Sequence, residues 1–581
     1  MVGLAKRNGR ERLQLIAVVA GAALFDWVLA LPMRVPRIFG DELIYWELSR
    51  GFAWTGHFTA RGGIAPAYGA VYPALLAAAQ RLGGDQTAAY AIAKALNAVT
   101  FSLAAIPVYA IASRVLMRRT ALLAALLAVV LPSCVYTSLI MTENAFYPLF
   151  AASVLLMLRA LERPTVSRQL LVVAAAAATF FVRAQAVVLL PSYLLAAILL
   201  AVLANQGRRR PALAAAARQQ APTVVLLVLA GLAAAAFRGR STLGPYHVLV
   251  TSYPPRTVAH WVLANVADVE LYVGVIPLAA FGVLLVQALS SARRPRELQR
   301  LVILTTCVGA GMLATVGALS ASRYGLGRVH ERNLFYLVPL VLIAFLAWLE
   351  AGFPRPRRTA AAIAVVVALL PLTIPASAVQ TSGEDGIALV WWDDMGVRPT
   401  IAIAGMALVA AIAATVFLFS RRPKVMVGVC LAALAATLIG GERRAAAVAA
   451  GYRDEWSGAG WIDRAVGPDA RVVALWVRPS TGAAVYPRIQ GLWADEFFNR
   501  SVRDVASAGG PLPDGLAVHE LTIRPDGCLE ATFPSKPRYA VVESGRPLTA
   551  HVVRAGPSTR AVLYRLGTGS SAGCLAQLRP R

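Results

Sequence analysis

The chain has 581 residues, 58% of them hydrophobic and 15% charged, with a mean hydropathy of +0.62. One soluble core cannot hide that much apolar surface, so a soluble globular protein is excluded and lipid must be the main solvent. A formal net charge of +26 would suggest nucleic acid if the arginines striped a folded domain, but many of them punctuate apolar runs and read as topology signals.

Predominantly apolar runs of about 13 to 24 residues mark the expected membrane spans. In chain order they are 13–33, 88–111, 121–139, 145–158, 170–182, 186–204, 223–237, 271–289, 301–319, 334–349, 360–379, 401–418 and 425–439. The first follows Lys6, Arg7, Arg10 and Arg12; it is too long for a signal core and lacks a small-x-small cleavage site, so it reads as a spanning helix. Basic residues then fall on every second connection: Arg114, Arg118 and Arg119; Arg163 and Arg168; Arg208 to Arg210; Arg293 to Arg296; Arg355 to Arg358; and Arg421 to Lys424. Because Lys and Arg in short loops resist translocation, this pattern predicts a multi-pass plasma-membrane protein with a cytoplasmic N-terminus and an extracytoplasmic tail. Arg443 and Arg444, just past the last span, run against it.

The opposite side receives long, aromatic, carboxylate-bearing segments at 34–87, 238–270, 320–333 and 380–399, and then the tail. The tail reads as a helix near 461–465 followed by strands at 471–477, 516–523, 538–543 and 561–566. The expected fold is therefore an all-α polytopic membrane domain of about thirteen transmembrane helices over residues 1–440, with a small mixed α/β extracytoplasmic domain over 441–581. Of five cysteines, Cys134, Cys307 and Cys430 lie in or near apolar runs, while Cys528 and Cys574 fall in the tail, where they are either bonded or two separate thiols.

The first outer segment opens with Gly40-Asp41-Glu42-Leu43-Ile44-Tyr45-Trp46. Asp41 and Tyr45 share one helix face, whereas adjacent Asp41 and Glu42 point about 100° apart and so divide their roles. One faces a cavity, or both are simply the acidic first turn of a helix. Glu143, in Thr142-Glu143-Asn144 at an outer span end, is either a second site carboxylate or a plain helix-start acid. Arg183 ends a short run: 170–182 spans only about 20 Å as a helix, against a hydrocarbon core of roughly 30 Å. A guanidinium at that depth costs about 2.5–3.5 kcal/mol unless it faces a polar cavity or an anion, for which a lipid-linked phosphate is suited. Arg323, Arg328, His330, Glu331 and Arg332 crowd one outer connection, against the inside preference of arginine, and point to the same anion. His330 and Glu331, being adjacent, suit hydrogen-bonding and positioning better than metal ligation.

A first span followed by Asp-Glu-x-x-Tyr at the head of a juxtamembrane helix resembles the membrane-embedded C-type glycosyltransferases, a family that includes protein O-mannosyltransferases and the lipid A aminoarabinose transferase. The resemblance implies an inverting transfer of a mannose- or arabinose-type sugar from a polyprenyl-phosphate donor to a glycan, lipid or protein acceptor on the extracytoplasmic side. It assigns Asp41 as base; Glu42, Tyr45, Glu143, Arg183, His330, Glu331 and Arg332 join it as the expected substrate-binding residues from the readings above, and a divalent cation near Glu42 or Glu143 is optional. Two departures stand out. Tyr68-Gly69-Ala70-Val71-Tyr72-Pro73 lacks the charge of the aminoarabinose enzyme's corresponding segment, and Asn333 replaces the tyrosine of an Arg-Tyr pair.

Lys94 and Asn97 read as structural polar groups inside a span, and Trp391-Trp392-Asp393-Asp394 as an interfacial belt. Trp493 to Asn499 suits sugar contacts and docking of the tail equally. A transporter or flippase of lipid-linked sugars is the alternative; it would need the arginines but not the first-loop carboxylate, and no paired halves are visible in the sequence.

Overall fold

The computed structural model describes residues 9–37, 39–64, 69–205, 209–238, 253–290, 295–452, 458–477, 485–533, 536–542, 547–557, 561–567 and 574–578; Lys6, Arg7, Tyr68, Arg208, Arg293 and Arg294 lie outside them. The chain forms two compact units, one of 1–29, 98–136 and 142–444, the other of 30–97, 137–141 and 445–581.

Among the described residues, seven helices are long and apolar enough to cross a membrane: Gly9–Ala30, Gln86–Ala112, Glu143–Glu162, Ala184–Ala204, Arg296–Ala321, Pro399–Phe419 and Pro423–Gly451. Three more candidates are bent helix pairs, at Arg118–Val129 with Pro132–Ser138, Leu213–Gln219 with Ala221–Ala233, and Pro255–Val273 with Ile276–Ser290. The last pair turns by 116° at Gly274, whose φ of +82° closes the first helix and whose missing side chain admits Ala433, 2.7 Å from where a Cβ would stand.

Two stretches depart from the sequence expectation. Much of the anticipated outer loop 238–270 is the helix Pro255–Val273, whose buried face carries Trp261, Asn265, Asp268 and Tyr272 at helical spacing; these polar side chains hide its period from a hydropathy reading. The span expected at 360–379 is α-helical over Arg357–Leu369, tightens into a 3-10 turn at Leu370–Thr373 around Pro371, and resumes after Pro375 as the short helix Ala376–Thr381.

Several basic connections of the first unit are linked to one another. Arg118 pairs with Glu11 at 2.8 Å, Arg114 pairs with both Glu162 and Glu297, the Met117 amide donates to Glu350, and Arg355 donates to the carbonyls of Phe417 and Ser420. Arg443 and Arg444 prove to be locally partnered. Arg444 reaches Asp394 at 2.9 Å and Asp393 at 3.1 Å, and Arg443 lies over the Trp391 ring, so the Trp-Trp-Asp-Asp segment answers the two charges that opposed the topology pattern.

In the second unit the tail folds around Val472–Val477, every residue of which is buried. This strand pairs in parallel with Val502–Ala508 and Tyr539–Val542; His519–Glu520 flanks one side of the sheet, and Val562–Arg565 and His551–Ala555 extend the other antiparallel. Burial on both faces explains why the central strand reads as a continuous apolar run. The helix Val485–Phe498 makes the crossover to Val502–Ala508. A second sheet joins Ala576–Gln577, Cys528–Glu530 and Thr522–Ile523, and Cys528 is bonded to Cys574.

Within this unit the helix Phe39–Thr55 and the tail are knit by arginines. Arg50 pairs with Glu47 and donates to the carbonyls of Glu496, Asn499 and Val502. Arg61 sits in a two-residue hairpin turn with φ +50°, a conformation that is costly for a side-chain-bearing residue. Its guanidinium meets Glu496 and Asp514 bidentately at 2.8–3.1 Å, fully buried, which offsets that strain. Trp46 stacks on Phe497 with 4.7 Å between centroids and donates to its carbonyl. The aromatic and acidic segment Trp493 to Asn499 is thus a docking element, and composition alone did not decide that.

Two stability outcomes follow. Arg61→Ala leaves two buried carboxylates without a counter-charge and is expected to destabilise the second unit by about 3–5 kcal/mol, read as a lowered thermal midpoint of the purified protein. A midpoint equal to wild type would contradict the pairing. Cys528→Ser opens a bridge between residues 46 apart and is expected to cost ~2–4 kcal/mol, with a matching drop on reduction of the wild type and none on reduction of the variant.

Candidate functional site

In the first unit, the connections opposite the basic face gather around one buried carboxylate. Glu143 begins the helix Glu143–Glu162, is fully buried, and lies 2.8 Å from Arg183 and 3.4 Å from Arg332. Arg183 reaches it because the helix Val166–Phe180 stops short and the chain extends at Arg183 before turning into Ala184–Val188. The guanidinium also donates to Thr142 at 3.2 Å and to the Asn333 side chain at 2.6 Å. Asn333 therefore orients an arginine, a role that its amide oxygen fills as an acceptor. Gln185 donates to the Asn333 carbonyl at 2.9 Å, fixing the same turn from the other side.

Arg332 continues the chain of charges to Asp385 at 3.2 Å, and Arg328 approaches the same carboxylate at 3.4 Å. Burial pushes the Asp385 carboxyl up, but Arg332, His330 and Arg328 together outweigh it and hold the group below the ordinary carboxylate range. Three guanidiniums thus face two carboxylates, Glu143 and Asp385, in a region where only small fractions of Arg183 and Arg332 are exposed. Such a site carries an excess of positive charge and suits an anion.

His330 and Glu331 stand beside this cluster in positioning roles. The His330 amide donates to Asn265 at 2.8 Å, and burial lowers the affinity of the ring for a proton although Asp385 opposes this. Glu331 is fully buried, accepts from Ser133 at 3.3 Å and from the Ile387 amide at 3.2 Å, and is pushed well above the usual carboxylate range by burial and then by Asp268. That favours the neutral acid. Arg323 is apart, exposed and bonded to Tyr324.

In the second unit, the Asp41–Glu42 pair divides as their helical angle requires. Glu42 is fully buried and both its oxygens accept backbone amides, from Arg37 at 2.6 Å and from Ile140 at 2.9 Å, so it fastens the head of Phe39–Thr55 to 137–141. Asp41 is exposed. Tyr45 is buried edge-on against Tyr72 at 5.8 Å, and the Tyr72 hydroxyl donates to Asn97, which donates in turn to the carbonyls of Thr137 and Leu139. Lys94 donates to the carbonyls of Ala30 and Met33. Lys94 and Asn97 are thus structural groups, as their place in a span suggested.

Sequence reasoning missed Asp385, Thr142 and Asn333 as members of the arginine cluster. Asp385 lies in a short Ser-Gly-Glu-Asp-Gly stretch far along the chain, and only the charge opposite a surplus of outer arginines hinted that carboxylates must come to meet them. Among the described residues no group of three or more His, Cys, Asp or Glu side chains is arranged to hold a metal ion.

Residues 68–247 match the family model described as dolichyl-phosphate-mannose-protein mannosyltransferase. The chain resembles ArnT from Cupriavidus metallidurans, solved bound to undecaprenyl phosphate, with 14% identity and a TM-score of 0.51 over 94% of this chain and 97% of that one. The oligosaccharyltransferase of Archaeoglobus fulgidus, tethered with an acceptor peptide, is a looser likeness at 14% identity and a TM-score of 0.44, covering 83% of this chain and 63% of the other. No curated protein matches the chain by sequence. The family model thus matches residues 68–247, and the likeness to ArnT is one of fold along nearly the whole chain.

Proposed function

We propose that the protein is an inverting glycosyltransferase that moves a mannose- or arabinose-type sugar from a polyprenyl-phosphate donor to a glycan, lipid or protein acceptor on the extracytoplasmic side of the plasma membrane. The observation that carries this reading is the buried ladder Arg183–Glu143–Arg332–Asp385, with Arg328 at its end, because a membrane protein has little other reason to keep an excess of guanidinium at that depth. The donor class draws support from the family model and from the ArnT structure, whose bound lipid is undecaprenyl phosphate.

In this proposal Arg183 and Arg332 hold the phosphate, with Glu143 fixing both and His330 and Glu331 shaping the surrounding loop. Asp41 takes the proton of the acceptor hydroxyl, a role assigned by its place in the Asp-Glu-x-x-Tyr motif, and Tyr45 follows one turn later on the same helix. Glu42 supports that helix by its two amide contacts. The acceptor oxygen forms a bond to the anomeric carbon as the bond from that carbon to the phosphate oxygen breaks. The proton goes to the carboxylate, the electron pair leaves with polyprenyl phosphate, and attack opposite the leaving group inverts the centre. Charge developing on the leaving phosphate is met by guanidiniums already in place, so no nucleotide is needed.

Transfer from radiolabelled polyprenyl-phosphate mannose and polyprenyl-phosphate arabinose, followed as loss of label from lipid, tests the reading. Asp41→Asn is expected to lower kcat about 10²–10⁴-fold with unchanged donor binding; transfer at the wild-type rate from a variant present at normal levels removes Asp41 as the base. Arg183→Ala is expected to weaken donor binding by the worth of a charge-assisted hydrogen bond, about 1.5–3 kcal/mol or roughly ten- to a hundredfold. An unaltered donor KM in that variant contradicts the phosphate assignment.

A further inference from the structure

The second unit contains a cleft of about 270 Å³ that the proposed chemistry does not use. Its walls come from the end of the helix Phe39–Thr55, the turn before the helix Gln86–Ser102, and the tail around the helix Trp461–Val466 and the end of Val485–Phe498. The volume lies just under the ~300 Å³ at which drug-sized pockets begin, so it fits one or two small rings.

The lining selects the chemistry of the occupant. Asp85 and Asp463 are set against Arg464 and Arg500, and Arg500 is also paired at 2.6 Å with Asp469 outside the lining, so neither sign dominates; a polyanion meets two carboxylates and a polycation two guanidiniums. Large aliphatic side chains are absent among the described lining residues, which leaves an acyl chain or an apolar peptide side chain little to gain. What remains is the rings of Trp54 and Phe498, the amides of Gln80 and Gln86 and a mixture of hydrogen-bond donors and acceptors. Trp54 is a prominent exposed indole, and the guanidiniums of Arg500 and Arg81 lie over its ring, 4.6 and 4.8 Å from the centroid, which fixes its orientation. Asp463 is fixed as firmly, since its two oxygens accept the backbone amides of Arg500 and Ser501. Gln86 is 94% buried, donates to Gln80, and its side-chain oxygen has no hydrogen-bond partner. A rigid, charge-balanced cleft with an indole wall and polar groups of both kinds suits a ligand that presents hydroxyls and C–H faces together.

We propose that this cleft binds a neutral saccharide and serves as a subsite for a glycan acceptor at a distance from the reacting hydroxyl. Its role as an acceptor subsite rests on the glycosyltransferase reading; the binding itself does not.

Gly84 gives a clean test, because a Cβ there meets no atom within 4 Å and its backbone needs no positive φ, so a side chain can be added in the cleft wall without disturbing the fold. Binding of methyl α-mannoside and of a mannobiose to the full-length protein in nanodiscs is measured by saturation-transfer NMR and calorimetry, with no donor lipid present. Wild-type protein is expected to bind at least one of them, and Gly84→Phe and Trp54→Ala each to weaken it by about tenfold or more. Thermal midpoints confirm that both variants are folded. If an oligosaccharide acceptor is then supplied for transfer, Gly84→Phe is expected to raise its KM while leaving the donor KM unchanged. Wild-type protein that binds neither glycoside, or a folded Gly84→Phe protein that binds as wild type does, overturns the saccharide cleft. Binding blocked by Gly84→Phe without any transfer by wild type leaves the cleft standing and instead contradicts the glycosyltransferase reading.

Discussion

A fully buried carboxylate cannot remain ionised in a lipid-embedded protein unless cations close around it, and Glu143 is surrounded in that way by Arg183 and Arg332. The requirement works in both directions. Each arginine would be costly at that depth alone, and each arrives from a break in regular structure: one where the helix Val166–Phe180 ends early, the other from the irregular connection before Val338–Glu350. The carboxylate therefore fixes where two interrupted helices meet. Asp385 extends the same logic by drawing Arg332 and Arg328 toward a third segment. What emerges is a preorganised cationic lattice, rigid because every charge helps to hold its neighbour, with more guanidinium than carboxylate.

The same residue type does different work elsewhere in the chain. On the basic face, arginines bind acidic side chains and carbonyls at helix ends, and so fasten the helices of the first unit at the side where positive charge collects. In the second unit, Arg50 and Arg61 join the juxtamembrane helix and its hairpin to the tail through carbonyls and carboxylates. A net charge of +26 thus resolves into topology, assembly and a concentrated cationic site. No polyanion surface is required to explain it.

Much of the membrane architecture was legible because lipid imposes long apolar runs, and the alternation of basic connections agrees with their cross-linking. Where legibility failed, the cause was local chemistry. The helix Pro255–Val273 carries buried polar residues that lower its hydropathy, and prolines divide one expected span. In the tail, the strand Val502–Ala508 was overlooked because Val-Arg-Asp-Val-Ala-Ser-Ala has neither alternation nor bulk; only its position after a helix in a strand–helix–strand unit reveals it. Of the site, Glu143, Arg183 and Arg332 were readable as charges in places where isolated charges are costly. Asp385 and Asn333 were not, since acceptors in loops are common and their value depends on which arginine they face. Helical geometry predicts that Asp41 and Glu42 point apart, and Glu42 is committed to backbone amides while Asp41 is exposed.

In the proposed reaction the Arg183–Glu143–Arg332 lattice is the phosphate site for a lipid carrier. Equilibrium binding of undecaprenyl phosphate to the purified full-length protein, followed by native mass spectrometry against undecaprenol as a control, addresses it most directly. Wild type is expected to retain the phosphorylated lipid in preference to the alcohol, and the Arg183→Ala, Arg332→Ala double variant to lose this preference while remaining folded. Equal retention of the two lipids by wild type, or an undiminished preference in the double variant, would contradict it.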